Sequence, residues 1–283
     1  METKYIDLHT HTCNYSDGDL TPKAIAKQAA LNGLDIFAIS DHDNYRAFFD
    51  AKNTADAYGI ILLPGTEFTT PDYHLLALNY DPTDKAFQEF TDHSRALQRN
   101  DCERRVEILR NDDVPITMGQ IDKEYPLARL GKGNLIQTLF MNPTCKEYIS
   151  ARHPNEPTRQ IINYYFGETG IASNLDPRHG VTPAEAIHAT HKAGGAIGIA
   201  HPQKDVDTIA ELEILIDQGI DFIEIQPDFK EKYDYSKFET YANDHDIPIS
   251  YGSDYHGPSM KRNMLSRGEN VLTKGLANLL KVA

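Results

Sequence analysis

The sequence predicts an α/β fold, a barrel-like (β/α) architecture of seven strands with one irregular closure and a helical insertion. Three observations predict it. Short, near-continuous apolar runs alternate with capped amphipathic segments, as in a parallel sheet covered by helices. That rhythm stops near Asp84 and resumes only near Thr182. And the apolar runs repeatedly end in His, Asp or Glu, where barrels of this kind carry their chemistry.

The first strand is Tyr5-Ile6-Asp7-Leu8-His9-Thr10-His11, whose alternation presents both imidazoles on one face. Thr21-Pro22 opens a helix as N-cap and N1, and Asn32-Gly33 closes it. Leu34–Ile39 is a second strand, delivering Ser40-Asp41-His42-Asp43. A helix from about Tyr45 to Tyr58 leads through Gly59 to the strand Ile60–Leu63 and on to Glu67. A fourth apolar run opens at His74.

From Asp84 to about Ile162 the pattern is helical, with turn punctuation and no convincing strand. Asp84–Asn111 reads as one long helix, with Arg95, Arg99, Arg104, Arg105 and Arg110 on one side. Gly131-Lys132-Gly133, Asn142-Pro143 and His153-Pro154 break the chain beyond that helix into shorter pieces. Leu135, Ile136, Leu139 and Phe140 make this stretch a packed insertion instead of a linker. Residues 1–83 and 171–283 are thus expected to form the barrel, and 84–170 a helical insertion between two of its strands. Thr182-Pro183 restarts the rhythm, leading to the strand Ala196–Ala200 with His201 and a helix from about Asp207 to Gly219. Asp221–Ile225, a helix from Tyr235 to His245, and Ile247–Tyr251 complete the series, and the last strand delivers Asp254 and His256.

Composition narrows the function. With 283 residues and 40% hydrophobic content, the chain can bury one large core or a core with an insertion. It has no apolar run of the ~18 residues that a membrane span needs. The start Met-Glu-Thr-Lys lacks a signal peptide's basic and apolar regions. Cys13, Cys102 and Cys145 have no metal-ligand spacing and read as reduced thiols, so a cytoplasmic location is expected. A net charge of −14 argues against gripping long duplex nucleic acid. It leaves room for a small phosphorylated substrate, because bound cations can reverse the local sign.

Nine residues fall at or beside strand ends: His9, His11, Asp17, His42, Glu67, His74, His201, Asp254 and His256. Mixed imidazole and carboxylate donors without thiolate suit Zn, Mn or Fe at open hydrolytic sites. Several buried imidazoles in one place would otherwise be desolvated without partners.

His-x-His with downstream Ser-Asp-Gly, then Ser-Asp-His-Asp, Gly-Thr-Glu-Phe, Ala-His-Pro and Gly-Ser-Asp-Tyr-His resemble the ordered motifs of the polymerase-and-histidinol-phosphatase (PHP) family of metallo-phosphoesterases. The resemblance covers Tyr5–Asn79 and Thr182–His256. It implies a distorted (β/α)7 barrel and a cluster of about two to three divalent ions, Mn, Fe or Zn, consistent with the donor count. Motif by motif, His9, His11, Glu67 and Asp254 resemble a first site. Glu67 would bridge to a second with His74 and His201, and Asp17, His42 and His256 resemble a third. Asp41 and Asp43 resemble outer carboxylates that orient these imidazoles.

Short family members with an insertion after the fourth strand are commonly nucleoside 3′,5′-bisphosphate phosphatases, which can also trim short 5′-phosphorylated oligoribonucleotides in the 5′-3′ direction. The resemblance therefore implies a nucleotide substrate or short single-stranded RNA, hydrolysed by metal-activated water. Arg99 is the expected phosphate partner on the long helix. Lys132 and Asn134 stand where the family usually has Gly-Arg-Pro-His. His201 and Asp254 are the candidates for protonating the leaving oxygen. The alternatives are a histidinol-phosphate phosphatase and a non-catalytic PHP module; the latter would lack metal residues, whereas here every motif is filled.

Overall fold

The computed structural model describes residues 3–167, 169–173, 180–202, 206, 208–227, 234–258 and 263–282. Seven strands lie side by side in chain order: β1 (Ile6–Asp7), β2 (Ile36–Ile39), β3 (Ile61–Thr69), β4 (His74–Leu78), β5 (Ala196–Ile199), β6 (Phe222–Ile225) and β7 (Ile249–Tyr251). The sheet curls into a nearly closed barrel. Leu8 N–H donates to the Tyr251 carbonyl at 2.9 Å, and Thr10 bridges Tyr255 in parallel fashion, joining the last strand to the first.

One expectation is corrected. The sheet is not uniformly parallel, because β4 runs antiparallel to both β3 and β5. The reason is local. A parallel crossover needs about a dozen residues, whereas β3 and β4 are joined by a tight turn in which Thr70 N–H donates to the Tyr73 carbonyl at 3.0 Å. The reversal sets His74 opposite Thr69, so the start of β4 shares an end of the barrel with the C-terminus of β3.

Helices α1 (Pro22–Leu31) and α2 (Ala47–Tyr58) pack outside the first strands. The Thr21 hydroxyl accepts from Ala24 N–H, and Gly59 ends α2 in the left-handed conformation at φ 68°. After β4 come α3 (Lys85–Asn111), α4 (Met118–Glu124), α5 (Lys132–Met141), α6 (Pro143–Arg152) and α7 (Thr158–Phe166). Among the described residues the helices that follow are α8 (Pro183–Lys192), α9 (Ile209–Gln218), α10 (Ser236–Asp244) and α11 (Lys274–Leu279). Reciprocal capping boxes, Thr182 with Glu185 and Thr208 with Glu211, start α8 and α9. The expected helix start at Asp207 lies outside the described residues, as do the chain ends Met1 and Ala283.

Two features of the helical stretch bear on the site. Gly131-Lys132-Gly133 does not simply break a helix; it forms the start of α5, where the Asn134 side chain accepts from Gly131 N–H at 2.9 Å. And α3 buries a stripe at helical spacing, Phe87, Thr91, Ser94, Gln98, Cys102, Arg105 and Leu109. Its ends are apolar or paired, but its middle is polar because that part faces the strand-end loops. Beyond it, Val106, Leu109, Leu135, Leu139, Ile149 and Tyr165 bury a core among these helices, each large side chain contributing about 1.5–3 kcal/mol. A separate cluster that includes Ile6, Leu8, Ile36, Leu63, Leu76 and Phe222 fills the barrel. No helix among the described residues is long and apolar enough to cross a membrane.

Candidate metal centre

The end of the barrel shared by the C-termini of β1–β3 and β5–β7 and the start of β4 gathers all nine strand-end residues. β1 itself ends at Asp7, so His9 and His11 lie just past the assigned strand. Their Nε2 atoms are nevertheless 3.0 Å apart, on one face. Glu67 sits at the centre, fully buried. Its Oε2 lies 3.1 Å from His9 Nε2, 3.2 Å from His11 Nε2 and 3.1 Å from His42 Nδ1. Its Oε1 lies 3.1 Å from His74 Nδ1 and 2.9 Å from His201 Nε2. Asp254 Oδ1 approaches His11 Nε2 at 3.3 Å, and Asp17 Oδ1 approaches His256 Nε2 at 3.2 Å.

The donor atoms fall into three overlapping sets, each with its atoms within 4.8 Å of one another: His9, His11, Glu67 and Asp254; His42, Glu67 and His74; and His11, Asp17, His42 and His256. The first matches the expected first site. The third contains the expected Asp17, His42 and His256 and adds His11. His201 stands outside these sets but touches both Glu67 and His74, the latter at 3.4 Å. His74 has the most exposed side chain among these contacts, at 31%, so the cluster opens to solvent beside it.

These residues fit divalent cations. Glu67 Oε2 and His42 Nδ1 are buried without a hydrogen-bond partner, although they lie only 3.1 Å apart. Burial opposes ionisation of Glu67, yet His42, His9 and His74 hold its pKa well below the usual value. Burial likewise opposes a charge on His9, but Glu224 and Glu67 hold its pKa well above the usual value. Glu67 and Asp254 also converge on the same two nitrogens, His9 Nε2 and His11 Nε2, and such a mixed carboxylate and imidazole set suits a divalent cation. Three site residues are held in the left-handed region without being glycine: Asp43 at φ 47°, His201 at φ 32° and Asp254 at φ 53°. Such conformations cost of order 1–3 kcal/mol each and cluster at functional sites.

The surrounding carboxylates differ from expectation. Neither Asp41 nor Asp43 is hydrogen-bonded to an imidazole. Asp41 accepts from Thr12 N–H and the Thr12 hydroxyl, both at 2.6 Å, and so fixes the loop after His11. Asp43 accepts from Ser94 Oγ at 2.6 Å and Thr69 N–H at 3.2 Å. The residue that does bind an imidazole is Glu224, which accepts from His9 Nδ1 at 2.8 Å. Its signal in the sequence is a lone acid inside the apolar strand Phe222–Ile225. Asp7, another acid in a strand, accepts from Ser253 Oγ at 2.7 Å and Leu265 N–H at 2.9 Å, and burial pushes its pKa up to about 6.

The three expected substrate contacts are engaged by the protein itself. Arg99 makes a two-bond pair with Asp122, at 2.6 and 3.0 Å, and its Nε lies 3.0 Å from Glu103. Lys132 Nζ donates to the Phe166 carbonyl at 3.2 Å, and Asn134 caps α5. Arg129, not singled out from the sequence, is the arginine of this stretch that reaches the strand-end loops. Its Nη2 donates to Thr69 Oγ1 at 3.0 Å and Gln98 Oε1 at 3.1 Å, and its Nε lies 3.5 Å from Asp43 Oδ2.

Fold and site together define a class: barrels with a histidine-and-carboxylate cluster at one end of the sheet. The PHP domain family profile matches residues 7–113 of this chain. It is 27% identical to a 5′-3′ exoribonuclease of Haemophilus influenzae, over 90% of this chain and 91% of that protein. It is 28% identical to a 3′,5′-nucleoside bisphosphate phosphatase of Chromobacterium violaceum, over 89% of this chain and 87% of that protein. A crystal structure from Bifidobacterium adolescentis, described as a metal-dependent phosphoesterase, superposes with a TM-score of 0.74 at 26% identity. That superposition covers 97% of this chain and 94% of the other.

Proposed function

We propose that this chain is a metal-dependent hydrolase of phosphate esters, acting on small phosphorylated nucleotides and on short 5′-phosphorylated RNA. The observation that carries it is the convergence of five imidazoles on the two oxygens of buried Glu67. His9, His11, Asp17, His42, Glu67, His74, His201, Asp254 and His256 would hold divalent Mn, Fe or Zn. Ions held there supply an activated water and neutralise the charge that develops on the phosphoryl group. The chain's own part is placement: Glu67 keeps both sides of the cluster in register, and the open side at His74 admits the ester. In this reading His201 and Asp254 are the candidates for protonating the leaving oxygen.

In this reading the helical stretch 84–170 caps the barrel formed by 1–83 and 171–283. Contacts between the two support it: Arg129 N–H donates to the Tyr15 carbonyl at 3.0 Å, and Asn44 Nδ2 to the Leu127 carbonyl at 3.1 Å. A nucleotide substrate is supported by the relatives' named activities, exoribonuclease and nucleoside bisphosphate phosphatase. The test is phosphate release from adenosine 3′,5′-bisphosphate, short 5′-phosphorylated RNA and histidinol phosphate, with and without added Mn. Release from the first two that needs metal is expected. A folded protein that binds no metal and releases nothing would overturn the reading; preference for histidinol phosphate would overturn the substrate class.

Arg99 now carries a different expectation. Its pair with Asp122 is about half exposed, at 41% and 45%, and such pairs contribute about 0–1 kcal/mol. Arg99→Ala should therefore shift the urea midpoint little and leave metal content unchanged. A tenfold or greater loss of kcat/KM on the bisphosphate, about 1.4 kcal/mol, would instead show that Arg99 leaves Asp122 to meet substrate.

A further inference from the structure

The carboxylate of Glu224 touches two members of the cluster at once, His9 and His201. It lies on β6 among Phe222, Ile223 and Ile225 and is fully buried. A lone carboxylate in such surroundings is costly unless its oxygens are satisfied. Here they are. Oε1 faces His9 Nδ1 at 2.8 Å, and Oε2 accepts from the backbone N–H of His201 at 2.7 Å, with Gln226 Nε2 at 3.4 Å. A Cβ on Gly252 would run into both Glu224 Oε1 and His9 Cβ, so the end of β7 closes over this pair only because it is glycine.

We infer that Glu224 is a positioning residue for the metal cluster, fixing the His9 tautomer through one oxygen and the His201 backbone through the other. The inference rests on the metal reading above. An ionised carboxylate only accepts, so the proton of His9 belongs on Nδ1. That leaves Nε2, which faces His11, Glu67 and Asp254, as the nitrogen available to ligate. The second oxygen acts on backbone instead. His201 sits at φ 32°, a conformation a non-glycine residue does not hold unaided. Its N–H bond to Glu224 anchors the peptide plane that directs the imidazole to Glu67 Oε1 at 2.9 Å. One side chain from β6 thereby ties ligands that follow β1 and β5.

Glu224→Gln separates this role from packing. The two donors at the Oε2 position, His201 N–H and the Gln226 amide, claim the new amide's oxygen, which turns its NH₂ toward His9 Nδ1. Nδ1 must then accept, and the proton moves to Nε2, where it blocks ligation. The experiment uses the full chain with zinc as probe. Affinity is read by competition against a fluorescent chelator, and the His9 tautomer by long-range ¹H–¹⁵N correlation of the zinc-loaded protein. Expected is a loss of zinc affinity of about 10–100-fold in Glu224→Gln with a cooperative melt retained, and partial recovery in Glu224→Asp, which keeps the acceptor. The wild type should show His9 protonated at Nδ1. Unchanged affinity in Glu224→Gln would overturn the inference. Equal losses in both variants with Nδ1–H retained would also overturn it, reducing Glu224 to packing. A wild type that binds no zinc would overturn the metal reading itself, a result distinct from either.

Discussion

Replacing Glu67 by Ala is expected to remove metal binding and phosphate release together. The loss should exceed the ~100-fold produced when a residue that merely orients a ligand is lost. Both Glu67 oxygens are committed, Oε2 to His9, His11 and His42, and Oε1 to His74 and His201. Without it, the imidazoles on the two sides of the cluster would lose the one carboxylate they share, leaving only Asp254 and Asp17 as carboxylates in the donor sets. Glu67→Gln should fail almost as completely, since either orientation of the amide points NH₂ at imidazole nitrogens. Three measurements check this: metal content after purification without chelator, kcat/KM for phosphate release, and the melting temperature with and without Mn. Metal at a thousandfold excess over its dissociation constant stabilises a folded protein by about 4 kcal/mol, so the wild-type melt should rise on addition and that of the variant should not. A Glu67→Ala protein that keeps its metal and its turnover would show that these residues form no metal centre.

The residues that converge on Glu67 are legible in the sequence because barrel geometry gathers them. Wherever a short apolar strand ends, its next polar side chains enter the shared rim, so His9, His11, His42, His201, Asp254 and His256 need only their place in the rhythm. The direction of β4 is less legible. Its apolar run looks the same either way, and only the four-residue turn Thr70–Tyr73 decides it. Partners distant in sequence are not legible at all. Asp122 lies 23 residues from Arg99, and nothing local announces that it will neutralise the arginine expected to meet substrate. The family resemblance makes Asp41 an imidazole partner, but its side chain turns to Thr12. Glu224 does carry a sign, an acid in a strand buried on both faces. The polar middle of the α3 stripe, Thr91, Ser94 and Gln98, is a similar sign. A helix buries such residues where the surface it covers is itself polar, and Ser94 and Gln98 meet Asp43 and Arg129 there.

Arg129→Ala should cost stability on the scale of a broken buried ion pair, about 3–5 kcal/mol, several times the expected cost of Arg99→Ala. Asp43 is fully buried, and its Oδ2 makes no hydrogen bond; the Arg129 guanidinium at 3.5 Å compensates its charge without ideal geometry. Burial raises the Asp43 pKa, and the charge of Arg129 is the strongest influence opposing that rise. The Arg129 side chain is only 13% exposed, so solvent does not screen the pair as it screens Arg99 and Asp122. Removing the arginine leaves a desolvated carboxylate beside His42, and it cuts the links from this loop to Thr69 and Gln98. If the lost charge pairing dominates, Asp43→Asn should recover much of the stability in the Arg129→Ala background, although alone it also costs. Urea unfolding of the four proteins in the double-mutant cycle measures the coupling, which should exceed the ~0.5 kcal/mol limit of simple additivity. A cost below about 1 kcal/mol for Arg129→Ala, the range of an exposed pair, or costs that simply add, would show that Asp43 does not depend on Arg129 and that the helical stretch is fastened to the barrel elsewhere.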